Sequence, residues 1–234
     1  KVHFIEDYSP NLLAILDQIL NVTDTLLVKT SPILDIKDTL KKLKNITEVH
    51  IVSVKNEVKE VLYFIKNATK IDLKIRTINY KKENEIEKFE FNYSQLNTSK
   101  STFSLPQKYI YEPNSAIMKS GGFNVISSEF GVDKLHKNTH LYTSNAYIEN
   151  FPGRIFRLEN VHAYTKKELK IYKKANITTR NFPDSVEKIR QKTKIKNGGD
   201  VYLFGTTLIN EKPIILTCSK IWNQIITYRQ FYFV

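Results

Sequence analysis

The residues best placed to do chemistry cluster at the ends of short apolar runs. Lys29-Thr30-Ser31-Pro32 closes the run that begins at Thr25, and Ser53, Asn56 and Glu57 close the run that begins at Val49. If both runs are parallel strands, these polar groups face the crevice outside the strands' carboxyl ends, where open α/β sheets bind their ligands. Lys29, Ser31, Pro32, Ser53 and Asn56 are then candidates for a substrate pocket, and the backbone N–H groups after Ser31 could receive an anion. The competing reading is that these residues only start helices, because Ser-Pro is a common capping pair.

A second group of candidates is cationic. Arg180-Asn181-Phe182-Pro183 lies between an expected strand and an expected helix. Arg180 could hold a phosphate, while Phe182 could stack on a base or pack into the core as a staple. Lys188, Arg190, Lys192, Lys194 and Lys196 alternate with Ile189 and Ile195, a pattern that projects a basic stripe near a helix end. Arg154 and Arg157 would join that face as further phosphate contacts. A charge run is also what any solvated helix face looks like. His136 and His140 have the spacing of a metal pair on a helix, but Lys137-Asn138-Thr139 between them reads as a loop, so no metal site is expected. No Gly-x-Ser-x-Gly or Cys/His nucleophile pattern is present, and no catalytic residue is assigned.

Charge separates the chain into unequal parts. Of a formal net charge of +12, residues 151–234 carry +10, with 16 Lys/Arg against 6 Asp/Glu, whereas residues 81–150 are neutral. Such asymmetry points to a polyanionic partner for the last third. The 41% hydrophobic content suffices for real cores. Cys218 is the single cysteine, which rules out an intramolecular disulfide and fits a cytoplasmic home. The longest apolar runs are far too short to span a bilayer, and no membrane partner is expected.

The elements that must position these residues read as follows. Ser9-Pro10 caps a helix whose face is Leu12, Leu13, Ile15, Leu16, Ile19 and Leu20; Thr25–Lys29 is a strand; Ser31-Pro32 caps a second helix with Ile33, Leu34, Ile36, Leu40 and Leu43 inward. Val49–Val54 is a strand, Asn56 to Ile65 a helix, and Ile71–Ile78 an edge strand, giving half of an α/β sheet over residues 1–80. Residues 81–107 are a charged and polar linker with one strand at Lys88–Tyr93. Residues 108–147 hold a strand from Lys108, a helix opened by Pro113 and bounded by Gly121-Gly122, a helix stopped by Gly131 and a strand at Thr139–Tyr142. Residues 151–220 read β-α-β-α-β-β, with Thr165 capping one helix, Pro183-Asp184 starting another, a turn at Asn197-Gly198-Gly199 and a hairpin around Asn210-Glu211-Lys212. Residues 221–234 are an apolar, aromatic tail without assignment.

Several stretches in order resemble a family of bacterial class I methyltransferases that end in a small ferredoxin-like segment and a THUMP-like domain. They are Phe4-Ile5-Glu6-Asp7-Tyr8-Ser9-Pro10, Val28 to Asp35, Glu48 to Glu57, Tyr111-Glu112-Pro113-Asn114-Ser115, His140-Leu141-Tyr142-Thr143-Ser144, Phe151-Pro152-Gly153-Arg154, Arg180-Asn181-Phe182-Pro183 and Gly198 to Phe204. The resemblance implies an α/β plus α+β chain: the C-terminal half of a Rossmann-like methyltransferase sheet, then the two small modules. It implies S-adenosyl-L-methionine as cofactor of the full-length protein and RNA, most simply tRNA, as substrate. The Gly-rich turn and the Asp-Pro-x-Arg-Arg stretch of such enzymes do not occur in residues 1–234. The expectation is therefore that this fragment binds no cofactor and is inactive alone. Two other readings stay open: a non-catalytic nucleic-acid-binding module, and a small-molecule methyltransferase with a basic accessory domain.

Overall fold

The structure, a computed structural model, describes residues 4–67 and 72–221. Residues 222–234 of the apolar tail, and Ile71 of the expected strand, lie outside the described residues. Helix α1 (Leu12–Leu20) and strand β1 (Thr25–Thr30) are followed by α2 (Ile36–Lys42), β2 (Ile46–Val54), β3 (Glu57–Lys66), β4 (Lys74–Lys82) and β5 (Glu85–Asn92). The five strands form one sheet in the order β1-β3-β2-β4-β5. Within it β2 and β4 pair in parallel, while β3 runs antiparallel to both β1 and β2. Strands β1, β2 and β4 therefore point the same way.

The helix expected from Asn56 to Ile65 is strand β3. The apolar positions Val58, Val61, Leu62 and Ile65 satisfy a helical period, but Val61, Tyr63 and Ile65, all 0% exposed, satisfy a period of two equally well. The run Val61-Leu62-Tyr63-Phe64-Ile65 is rich in β-branched and aromatic side chains that suit a pleated surface. What decides is the turn: Lys55 and Asn56 both have positive φ, 50° and 63°, and fold β2 back onto β3 as a tight two-residue hairpin. The strand expected at the sheet edge, β4, is internal. Its outer neighbour β5 sits in the charged stretch expected to be a linker with one strand at Lys88–Tyr93, burying Phe89 and Phe91 while Glu85 and Glu90 are exposed.

Two helix starts also move. Asn11, not Ser9, caps α1, its side chain accepting from Leu13 N at 3.1 Å. Asp35 caps α2, accepting from Asp38 N at 2.8 Å, so Ser31-Pro32 forms a turn that precedes the helix. In each case a stronger or nearer side-chain acceptor takes the role.

The rest of the chain builds a second sheet. Short helix α3 (Gln95–Thr98) leads to β6 (Tyr109–Pro113), α4 (Ser115–Ser120), α5 (Phe123–Phe130), β7 (Asp133–His136) and β8 (Thr139–Ser144). Then come β9 (Gly153–Ala163), α6 (Lys166–Leu169), β10 (Lys174–Arg180), α7 (Val186–Thr193), β11 (Lys196–Thr207) and β12 (Pro213–Lys220). All seven strands join in the order β10-β11-β12-β9-β6-β8-β7. The expected turn at Gly198-Gly199 lies inside β11 as an irregularity, with φ of 96° and 85° that only glycine adopts freely, opposite the register shift at Ala175/Asn176. The joint between β6 and β9 is close: a Cβ on Gly153 would meet the Glu112 carbonyl oxygen at 2.1 Å.

This sheet curls until its distant strands touch. Thr139 on β8 meets Thr206 on β11 at 3.2 Å, and Asn181 after β10 meets His136 on β7 at 2.9 Å. The concave side encloses Ile110, Leu135, Leu141, Phe156, Phe204, Leu216 and Cys218. On the convex side, α6 and α7 pack over Leu203, Ile177 and Ile215. Helices α4 and α5 supply Ala116, Ile117, Val125 and Ile126 to a core shared by the first sheet, by Tyr111 and Tyr142 of the second, and by Phe151 just before β9. The two sheets thus clasp one helical layer, which fixes their relative placement. Among the described residues no helix is long and apolar enough to cross a membrane.

Candidate functional site

The carboxyl ends of β2 and β4 carry a connected polar cluster. Ser53, fully buried, donates its hydroxyl to Asn79 Oδ1 at 2.9 Å, and the same oxygen accepts from Asn56 N at 3.1 Å. Asn79 Nδ2 donates to Glu87 Oε2 at 2.9 Å, and so does Asn114 Nδ2, also at 2.9 Å. Asn114 caps α4 by accepting from Ile117 N, and Asn56 Oδ1 receives the N–H of Ser115 at 2.8 Å. The hairpin turn of the first sheet is thereby stitched to the first turn of α4. Of the five pocket candidates, Ser53 and Asn56 come together here, Ser53 buried and Asn56 at the surface with its Oδ1 bonded to Ser115 N.

The other three lie apart. Thr30 pairs with Val61, so β1 ends about level with Ile51, short of the cluster. Lys29 faces solvent and pairs with Glu60 at 3.1 Å. Ser31 N donates to Tyr8 Oη at 3.1 Å, and the half-buried Pro32 continues the turn. That turn is held by α4, whose Lys119 Nζ donates to Leu34 O at 2.8 Å. Burial lowers the Lys119 pKa from its ordinary value. Asn79, Glu87 and Asn114 complete the cluster and Lys119 holds the separate turn; sequence reasoning missed them because each gains meaning from a partner on a distant element.

The seven cationic candidates do not form one face. Lys188, Arg190 and Lys192 belong to α7 on the convex side of the second sheet, and Lys194 caps its C-terminal end. Asp184, 6% exposed, takes Lys188 at 2.6 Å and Lys192 at 2.5 Å, and the Tyr164 hydroxyl donates to it at 2.7 Å. Lys188, then Lys192 and Tyr164, hold the Asp184 carboxyl well below the usual carboxylate range. Arg190 is spent on the fold: it donates to Ile195 O, Ala175 O and Asn197 Oδ1 at 2.9, 3.2 and 3.0 Å. Lys192 and Lys194 line a surface pocket of about 490 Å³ together with Tyr164, Lys166, Gln191 and Thr193. Phe182 packs against Tyr164 with ring centroids 4.8 Å apart, in agreement with a core role.

Arg154 and Arg180 sit together, away from α7 and toward the concave side. Glu112, 3% exposed, binds Arg180 Nη2 through Oε1 at 2.9 Å and Arg154 Nε through Oε2 at 2.7 Å, with Arg154 Nη2 on the same oxygen. Arg154 also lies over the Phe156 ring at 5.4 Å. Arg157 is exposed and is not part of this group. Burial lowers the pKa of Lys220, and the positive charges of Arg154, Lys81 and Lys82 lower it further, which places cations of both sheets within electrostatic reach of one another.

His136 and His140 lie on the two strands of the β7–β8 hairpin, whose turn is Lys137-Asn138, within the stretch expected to be a loop. Nε2 of His136 meets Glu211 at 3.0 Å, while His140 stacks on Phe123 with centroids 3.6 Å apart. Among the described residues no group of three or more His, Cys, Asp or Glu side chains is arranged to hold a metal ion.

With this geometry in view, the likeness to known proteins is of two kinds. Residues 109–152 match the family model of a ferredoxin-like domain, and residues 153–220 match that of a domain described as THUMP domain-like. The division falls at Gly153, at the tight joint where β9 begins to pair with β6. A crystal structure from Porphyromonas gingivalis W83, of a "putative methyltransferase", is similar to this chain with a TM-score of 0.89 and 35% sequence identity over 94% of the chain. The chain spans 57% of the length of that structure. No curated protein matches it.

Proposed function

We propose that this chain is the RNA-recognising part of an S-adenosylmethionine-dependent class I RNA methyltransferase, with tRNA as the RNA. The observation that carries the reading is the likeness of nearly the whole chain to a solved structure described as a methyltransferase, at 35% identity. Three further features support it. The THUMP-like match covers residues 153–220, in the part of the chain that holds +10 of the +12 net charge. Strands β2 and β4 pair in parallel and present their carboxyl ends together, as ligand-binding α/β sheets do. The polar cluster at those ends abuts the ferredoxin-like helix α4, so RNA held by the C-terminal modules can reach the sheet. On this reading residues 1–80 are the C-terminal half of a Rossmann-like sheet.

The residues at the strand ends do not fit the cofactor itself. The segments 31–35, 55–56 and 83–84 contain no glycine that would let the backbone approach it, the Ser31 N–H is taken by Tyr8, and Ser53 is buried. No step is therefore derived through S-adenosylmethionine, and the cofactor is assigned to parts of the full-length protein other than these residues. Calorimetry and gel retardation on this chain test the division. The expected result is no heat from S-adenosylmethionine and retardation of tRNA. Micromolar binding of S-adenosylmethionine would contradict the cofactor assignment, and failure to retard any RNA would favour the small-molecule reading.

A further inference from the structure

We infer that Arg154 and Arg180, gripped by the two oxygens of buried Glu112, form a clamp for one backbone phosphate of the RNA at the junction of the two sheets. The inference rests on the RNA-binding reading above and adds to it a location. One carboxylate cannot neutralise two guanidiniums, so the triad keeps a net charge of +1. Glu112 is 3% exposed, whereas the side chains of Arg154 and Arg180 are 38% and 37% exposed. The negative group is thus inside and the positive groups outside. Two guanidiniums carry ten N–H donors. Glu112 takes three of them and the Thr179 carbonyl one, and the buried Arg180 Nε has no acceptor. A phosphodiester supplies the missing negative charge and matches the planar fork of arginine.

The surroundings point the same way. Lys220 pairs with Phe156 across β12 and β9, over whose ring Arg154 lies, and it is within electrostatic reach of Lys81 and Lys82 at the carboxyl end of β4. Cations of both sheets therefore converge here, with Glu85 and Glu87 paired to Lys81. Glu112 is two residues before Asn114, whose side chain joins Glu87 in the strand-end cluster. A phosphate held by the clamp sets the RNA strand beside the carboxyl ends of β2 and β4. Asp184 holds Lys188 and Lys192 in the same one-to-two ratio, but each lysine is a point charge without the planar fork of arginine.

Filter binding of a tRNA transcript to this chain tests the clamp. Arg154→Ala/Arg180→Ala should weaken binding by roughly tenfold or more, the loss expected for charge-assisted bonds. It should also flatten the slope of log affinity against log salt by about 0.7–0.9 per lost phosphate. Arg154→Lys/Arg180→Lys keeps the charge, loses the fork and guards against misfolding; its affinity should fall between the two. Lys188→Ala/Lys192→Ala should change affinity less than the arginine pair. Inorganic phosphate alone should bind no tighter than millimolar. Unchanged affinity and slope in a folded alanine pair, wild-type affinity in the lysine pair, or micromolar binding of free phosphate would each overturn the clamp while leaving RNA binding intact. Absence of RNA binding by the wild-type chain would instead sink the reading beneath it.

Discussion

His140 shows how a single buried side chain can give this fold a pH dependence of its own. Its ring stacks on Phe123 and its Nδ1 is buried without a partner. Burial first, and then the charges of Lys134 and Arg180, push its pKa down to about 4 from an ordinary 6.5. The folded state therefore favours the neutral ring. Its contribution to stability is complete above pH 6.5 and is lost as the pH falls from there toward 4. Melting temperatures between pH 7 and pH 4.5 should fall for the native chain, and fall less for His140→Phe, which keeps the stacking. The carboxyl groups held low here, such as Glu48 and Asp184, titrate below that window. An identical acid limb in the variant would show that His140 is not responsible. Glu112 is the other decisive residue, and nothing in the sequence marks it: its meaning depends on Arg180, 68 positions away. Arg154 and Arg180 could be picked out by charge, but their pairing through one carboxylate could not.

At the scale of elements, the Lys55-Asn56 turn and helix α7 carry the clearest tests. Asn56 combines a left-handed backbone with an acceptor for Ser115 N. Asn56→Gly keeps the turn and loses the bond, whereas Asn56→Ala loses the bond and adds strain. Denaturant titration should find the glycine variant about 1 kcal/mol less stable than the native chain, and the alanine variant lower by roughly a further 1 kcal/mol. Equal stability of the two would remove the strain from the argument. On α7, Arg190→Ala should lower the melting temperature rather than act on RNA alone, because three acceptors are left unpaired. A native melt would return Arg190 to the set of surface cations. These same elements explain what could be read beforehand. Helix stops at Gly121 and Gly131 were legible because both residues adopt the left-handed conformation that glycine favours. Strand β3 was not, since its apolar spacing fits both periods and the arbitrating turn has Lys-Asn where Asn-Gly would announce a hairpin. The caps at Asn11 and Asp35 were missed by choosing the Ser-Pro pairs just before them.

The whole molecule is two sheets clasping α4 and α5, with its excess charge in the last third. That layout was visible in outline: a first sheet, a short middle segment and a basic C-terminal module follow from apolar periodicity and charge asymmetry. The curling of the second sheet was not, because contacts such as Thr139 with Thr206 join strands with no sequence proximity. On the proposed function, the charged third holds an RNA backbone. Filter binding of folded tRNA across a series of salt concentrations tests it most directly, because each neutralised phosphate releases counterions. Log affinity should fall linearly with log salt, with a slope of about −3 or steeper, equivalent to roughly four or more phosphates. Binding that ignores salt, or no binding at low salt, would contradict it.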